Sequence, residues 1–151
     1  MSYHIDCTFD TPVEQVYNYI KRASSPQEIL DKICYIIDNC IYMDYRYFKP
    51  VGNDAVYEPL LSHIINKIRQ VLSASPSLIV HVSLKGFSIR EMDKHLNFFK
   101  HVSIVLDTHY PQKLTTCYVY NASSIFTQLF SLLSYFIDKD TLKKMQLVGK
   151  S

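Results

Sequence analysis

Thr141 and Lys144 stand three residues apart in a segment that begins again after Asp138-Lys139-Asp140. On a short helix that spacing puts a hydroxyl and an ammonium on one face. Thr141 would sit near the helix N-terminus, where unpaired backbone N–H groups and the helix dipole favour an anion. Lys143 adjoins the pair, and Lys113 opens the stretch that leads to it. A phosphate ester calls for this combination of donors and positive charge. The residues alone leave a second account open and favour it: a solvated lysine pair that follows a helix break.

Other chemistry is hard to assemble. The six histidines are dispersed, and His95 and His101 lie six apart, so they share no helical face as i,i+3 or i,i+4 neighbours. Glycines stand alone at 52, 86 and 149, which excludes a glycine-rich phosphate loop. Neither a GxSxG elbow nor an HExxH pair occurs. The expectation is a protein without catalysis, metal or cofactor. The net charge of +2, from 16 basic and 14 acidic residues, argues against nucleic acid.

Behind Lys113 comes a stretch with no charged residue until Asp138. Its second half suits a helix over about 124–137, capped by Ser123 or Ser124. Ile125, Leu129, Leu132, Leu133 and Phe136 fall on one side of it. Phe126, Phe130 and Ile137 fall largely on another, with serines and a threonine between. A helix apolar on two sides and nowhere charged is either buried or faces lipid. It is too short and too interrupted to span a bilayer, which takes about 20 apolar residues. On composition, a central core helix and a lid that meets a membrane are both open.

The elements that would position these groups alternate. Thr11-Pro12-Val13-Glu14 and Ser25-Pro26-Gln27-Glu28 each read as a capping box with Pro at the first helical position. They predict helices over about 12–22 and 26–39. The aromatic run 41–48 fits a strand, and 57–73 an amphipathic helix. Leu78-Ile79-Val80-His81-Val82-Ser83-Leu84 reads as a buried, parallel strand. Ser88 and Glu91 form a third capping box, opening a helix over about 89–107. Residues 116–120 predict a strand, 141–145 a short helix and 146–148 a last strand. Strands joined by helical crossovers imply an α/β fold with a mostly parallel sheet in one domain over 1–151, residues 1–40 forming short N-terminal helices. Four unpatterned cysteines and an N-terminus unlike a signal peptide suggest a reduced, intracellular chain.

Three blocks in order resemble the CRAL-TRIO lipid-binding and lipid-transfer family. Leu78 through Ser88 is similar to the family strand that ends in Asp-Leu-x-Gly, with Ser83 in the Asp position. Tyr110-Pro111-Gln112-Lys113, then Cys117-Tyr118-Val119-Tyr120-Asn121-Ala122, resembles Tyr-Pro-Glu-Arg followed by Tyr-Ile-Ile-Asn-Ala-Pro. Phe136 to Met145 looks like Phe-Leu-Asp-x-x-Thr-x-x-Lys-Ile, and the resemblance covers about residues 76–150.

That resemblance implies a CRAL-TRIO-like fold, in which a mostly parallel sheet floors a hydrophobic lipid pocket and helices pack around it. The helix over about 124–137 would be the gate. Gln112, Thr141 and Lys144 fall where members that bind phosphatidylinositol hold the inositol phosphate. Leu78 and Val80 occupy positions where a choline-lipid site has hydroxyls, which disfavours phosphatidylcholine. A compact carrier of phosphatidylinositol or a phosphoinositide is implied, cytoplasmic and peripheral at membranes. The headgroup would be held by Gln112, Lys113, Thr141, Lys143 and Lys144. The tails would lie against Ile125, Phe126, Leu129, Phe130, Leu132, Leu133 and Phe136. Two alternatives stay open. One is a module that binds a protein partner such as a small GTPase, with the tyrosine-rich segment 42–48 as its surface. The other is a carrier of a different hydrophobic ligand.

Overall fold

The computed structural model describes residues 9–122 and 124–149. They build a five-stranded sheet in the order β1 (Cys34–Ile37), β2 (Cys40–Asp44), β3 (Leu78–Ser83), β4 (Leu114–Tyr120), β5 (Met145–Val148). β1 and β2 are antiparallel, and every later pairing is parallel. The helices are α1 (Val13–Arg22), α2 (Pro26–Ile33), α3 (Tyr45–Phe48), α4 (Asp54–Leu72), α5 (Ile89–Lys94), α6 (Leu96–His109), α7 (Phe126–Leu133) and α8 (Lys139–Lys143). The expected mostly parallel α/β fold is present.

Side-chain alternation gives the sheet two different faces. Leu78, Val80 and Val82 of β3 point to the side that carries α4 and α6, where two cavities lie. His81 points the other way. Its ring stacks between Tyr42 and Tyr118, with centroids 4.6 and 4.9 Å away. Tyr35 stacks on Tyr42 in turn, at 5.7 Å. The row Tyr35, Tyr42, His81, Tyr118 follows the strand register across four strands.

Several predicted elements are corrected. The second helix stops at Ile33, and residues 34–37 form β1 instead of helix, so 1–40 is not helical throughout. Asp38 and Asn39 close the β1–β2 hairpin, both with positive φ (52° and 60°) as a type I′ turn requires. The predicted strand 41–48 ends at Asp44, and Tyr45–Phe48 is a helical turn capped by the Asp44 carboxylate. Tyr42, Tyr45, Tyr47 and Phe48 are all buried, so this segment is core and offers no partner surface. The predicted helix 89–107 breaks in two at His95. The capping boxes are met in part. Ser88 Oγ accepts from the Glu91 N–H at 3.3 Å. Glu28 accepts from the Ser24 N–H at 2.9 Å, while Ser25 makes no side-chain cap. Helix α1 has Pro12, not Thr11, at its N-cap. Ser123, one of two expected gate caps, lies outside the described residues.

At the end of β2, Arg46 and Asp44 form a buried ion pair. Arg46 Nε donates to Asp44 Oδ1 at 3.0 Å and Nη2 to Oδ2 at 2.7 Å. Arg46 Nη1 donates to the Thr11 carbonyl, which ties the entry of α1 to the sheet.

Candidate functional site

Two cavities lie between the sheet and the helices. The first, about 240 Å³, is floored by Ile41 and Met43 of β2, Leu78 and Val80 of β3, and Leu114 and Cys117 of β4. Its walls are Ile64 and Ile68 of α4, Ser103, Leu106 and Asp107 of α6, and the segments around Gln112 and Thr141. The second, about 330 Å³, is almost wholly apolar, with Val82, Leu84, Phe98, Phe99, Val119 and Leu129 in its walls. Met43, Ile64, Ser103 and Ile137 line both, so the cavities share a boundary. The first is the more polar of the two: its floor is apolar, but its walls carry Lys113, Lys144, Asp107 and Asp138, and it adjoins a chamber that is apolar almost throughout.

Gln112 is held in the left-handed region at φ 58°, an uncommon state for a residue with a Cβ. Such strain concentrates where function needs a particular orientation. The Lys113 carbonyl accepts the Leu78 N–H at 2.7 Å, which anchors this turn to β3. In the same lining, Asp138 caps α8: its carboxylate accepts the Thr141 N–H at 2.7 Å and the Thr141 hydroxyl at 3.1 Å. The expected unpaired N–H at Thr141 is thus already satisfied within the chain. The Thr141 N–H foremost, with its hydroxyl and the nearby Lys144, holds the Asp138 carboxyl below the usual carboxylate range. Cys117 in the floor is pushed up to about 12 by burial, so it stays a neutral thiol.

A family model described as the CRAL/TRIO domain matches residues 14–151. The chain belongs to this family. Among curated CRAL/TRIO relatives, the Sec14 cytosolic factor of Schizosaccharomyces pombe is 29% identical over 70 residues, 46% of this chain and 24% of that protein. The SEC14 cytosolic factor of Yarrowia lipolytica is 29% identical over 115 residues, 71% of this chain and 23% of its own length. The chain thus spans about a quarter of the curated relatives it matches. Among solved structures, Sfh5 superposes with a TM-score of 0.68 at 19% identity, covering 88% of this chain and 52% of that one. It shares the fold.

Within the CRAL/TRIO frame, the expected headgroup residues Gln112, Lys113, Thr141 and Lys144 line one cavity. Lys143 does not line it. Of the expected tail residues, Leu129 and Leu133 line the apolar cavity and Phe136 the polar one. Ile125, Phe126, Phe130 and Leu132 line neither: Leu129 and Leu133 share the inward face of α7, and Phe130 and Leu132 lie on either side of it. Phe126 and Phe130 pack on each other, with centroids 5.8 Å apart. The segment expected as a gate is a short helix plus a turn over 134–137, not a helix over 124–137. Sequence reasoning missed Ser103, Asp107 and Tyr110, which line the polar cavity from α6 and its C-terminal end. It also missed the capping role of Asp138, which an acidic residue three before Thr141 signals. Among the described residues no group of three or more His, Cys, Asp or Glu could hold a metal ion, and no helix is long and apolar enough to cross a membrane.

Beside the apolar cavity, the His95 side chain is fully buried at the break between α5 and α6. Tyr57 Oη and His95 Nδ1 are 2.6 Å apart, and Nε2 has no hydrogen-bond partner among the described residues. Burial lowers its pKa, with Lys94 adding and Glu91 opposing. Burial lowers that of His81 as well. The unfolded chain then takes up protons near pH 6.5 that the folded chain resists. Stability is full above about pH 6.5 and falls below it, by at most about 1.4 kcal/mol per pH unit for each histidine. Urea denaturation at falling pH measures this, and a flat profile down to about pH 5 contradicts it.

Proposed function

We propose that the protein binds a phosphatidylinositol or phosphoinositide and carries it between membranes without catalysing a reaction. The observation that supports this is the shared boundary of the two cavities. A cation-bearing chamber meets an apolar one at Met43, Ile64, Ser103 and Ile137. The first suits a headgroup, with Lys113, Lys144, Gln112 and Thr141 as donors. The second suits acyl chain, because hardly any polar group there demands water. An incoming phosphate would take the Thr141 hydroxyl from Asp138. Sec14 relatives are named cytosolic factors, in keeping with a cytoplasmic carrier that visits membranes transiently.

Energetics require opening at a bilayer. Moving about 30 methylenes through water costs on the order of 24 kcal/mol, at about 0.8 kcal/mol each. Exchange therefore takes place against the membrane. Both cavities lie at or below the small end of the roughly 300–1,000 Å³ span of ligand pockets. A two-chain lipid needs α7 and its following turn to move outward.

Mass spectrometry of an organic extract of the purified protein identifies the ligand. An inositol lipid is expected; a sterol, retinoid or tocopherol would reassign the ligand, and a lipid-free extract would favour a protein partner. Lys144→Ala should lower inositide transfer about tenfold, the order of one charge-assisted hydrogen bond. The melting temperature should hold. Lys143→Ala should leave transfer near wild type; equal losses in both variants would show surface charge rather than a headgroup contact.

A further inference from the structure

Asp107 puts a carboxylate into a cavity whose lysines suit an anion. It shares the lining of the first cavity with Lys113, Lys144 and Asp138. The two carboxylates differ. Asp138 is committed to Thr141, whose N–H and hydroxyl it accepts. Asp107 forms no ion pair among the described residues, and neither do Lys113 and Lys144. The place of Asp107 also costs stability. It stands in the last turn of α6, at the negative end of the helix dipole, which disfavours an acidic side chain. No contact within the fold accounts for a charge held there, so its role lies in what enters the cavity.

One turn earlier on α6, Ser103 lines the same cavity. Its hydrogen is committed to the Phe99 carbonyl, so the hydroxyl has only lone pairs left to offer. These two polar residues of α6 therefore contribute acceptors, while Lys113 and Lys144 contribute donors and positive charge. The segments that carry the lysines are fixed to the sheet. The Lys113 carbonyl accepts the Leu78 N–H at 2.7 Å, and the Lys144 carbonyl accepts the Cys117 N–H at 2.8 Å. A phosphodiester brings acceptors alone and answers only the lysines. The acceptors on α6 call for hydroxyl hydrogens in the same headgroup. A second phosphate placed there would meet a carboxylate of its own sign, and an ammonium would have to enter a cavity with two lysines. We infer that Asp107 determines headgroup specificity: its carboxylate accepts a free hydroxyl of a polyol attached through a phosphodiester, and repels a headgroup phosphorylated at that hydroxyl. This inference rests on the lipid-carrying reading above.

Wild-type, Asp107→Asn and Asp107→Ala proteins are incubated with phosphatidylcholine vesicles that contain equal amounts of phosphatidylinositol, phosphatidylinositol 4-phosphate, phosphatidylserine and phosphatidylethanolamine. The protein is separated from the vesicles, and each lipid per mole of protein is measured by mass spectrometry. Wild type should load phosphatidylinositol about tenfold over its 4-phosphate. Asp107→Ala should load about tenfold less phosphatidylinositol than wild type, the loss of one hydrogen bond to a charged group. Asp107→Asn keeps an acceptor oxygen without the charge. It should lose less phosphatidylinositol and bring the ratio of the two inositol lipids to within about threefold of one. Melting temperatures of both variants should not fall, since the charge they remove opposes the helix dipole. A ratio unchanged in the Asp107→Asn protein overturns the inference, as does a wild type that prefers the 4-phosphate or any lipid with an ammonium headgroup. A wild type that loads none of these lipids overturns the carrier reading itself, and the inference with it.

Discussion

Ser103→Trp is expected to purify without lipid and to transfer none. Ser103 lines both cavities, and its small side chain is what leaves the boundary between them open. Its hydroxyl donates to the Phe99 carbonyl at 2.9 Å, one turn back on α6, so this bond makes no link to another element. An indole there would fill the boundary and separate headgroup space from tail space. Overpacking a core typically costs about 1–3 kcal/mol, and entry into existing space belongs at the low end. The fold should survive, with a melting temperature within a few degrees of wild type. The decisive comparison is lipid content per mole of folded protein. Wild-type content in the variant would mean that the ligand does not cross from one cavity to the other.

Arg46→Ala is expected to cost about 3–5 kcal/mol of folding stability, a large share of what a domain of this size has. The change leaves Asp44 buried and charged, without the cation that now pairs with it. It also releases the Thr11 carbonyl, which anchors α1. Asp44 would keep its cap on α3 through the N–H of residue 46, now at 3.1 Å, so the helical turn itself should persist. Urea denaturation measures the loss. The double change Asp44→Asn with Arg46→Met should recover part of it, because no lone charge is then buried. If the single and double variants are equally unstable, the loss comes from packing rather than from charge.

The parallel core of the sheet was legible because β3 is a short β-branched run between turns, and β4 repeats the pattern. β1 was hidden because Ile29, Leu30, Ile33, Ile36 and Ile37 keep helical spacing into it. The competing signal was the turn pair Asp38-Asn39, of the residue types that a tight hairpin favours. The break at His95 has no glycine or proline to announce it. It depends on tertiary contacts, with Tyr57 at the imidazole and Phe48 and Phe99 around the ring. The polar cavity was half legible. Gln112, Lys113, Thr141 and Lys144 lie in motif segments, whereas Ser103 and Asp107 are ordinary residues of an amphipathic helix until the fold turns them inward. The early end of α7 was not readable either, since its hydroxyl residues continue beyond Leu133 in the same spacing.

The strands of the sheet are ordered in space as they are in the chain. No strand has to be threaded between two that already pair. During synthesis each strand can join a free edge as soon as it and its crossover leave the ribosome, starting from the local β1–β2 hairpin. Asp138, Thr141 and Lys144, in and beside α8, come just before the last strand, β5. This wall of the first cavity therefore forms after the sheet from β1 to β4. On the proposed reading, a lipid is enclosed only after β1 to β4 have paired.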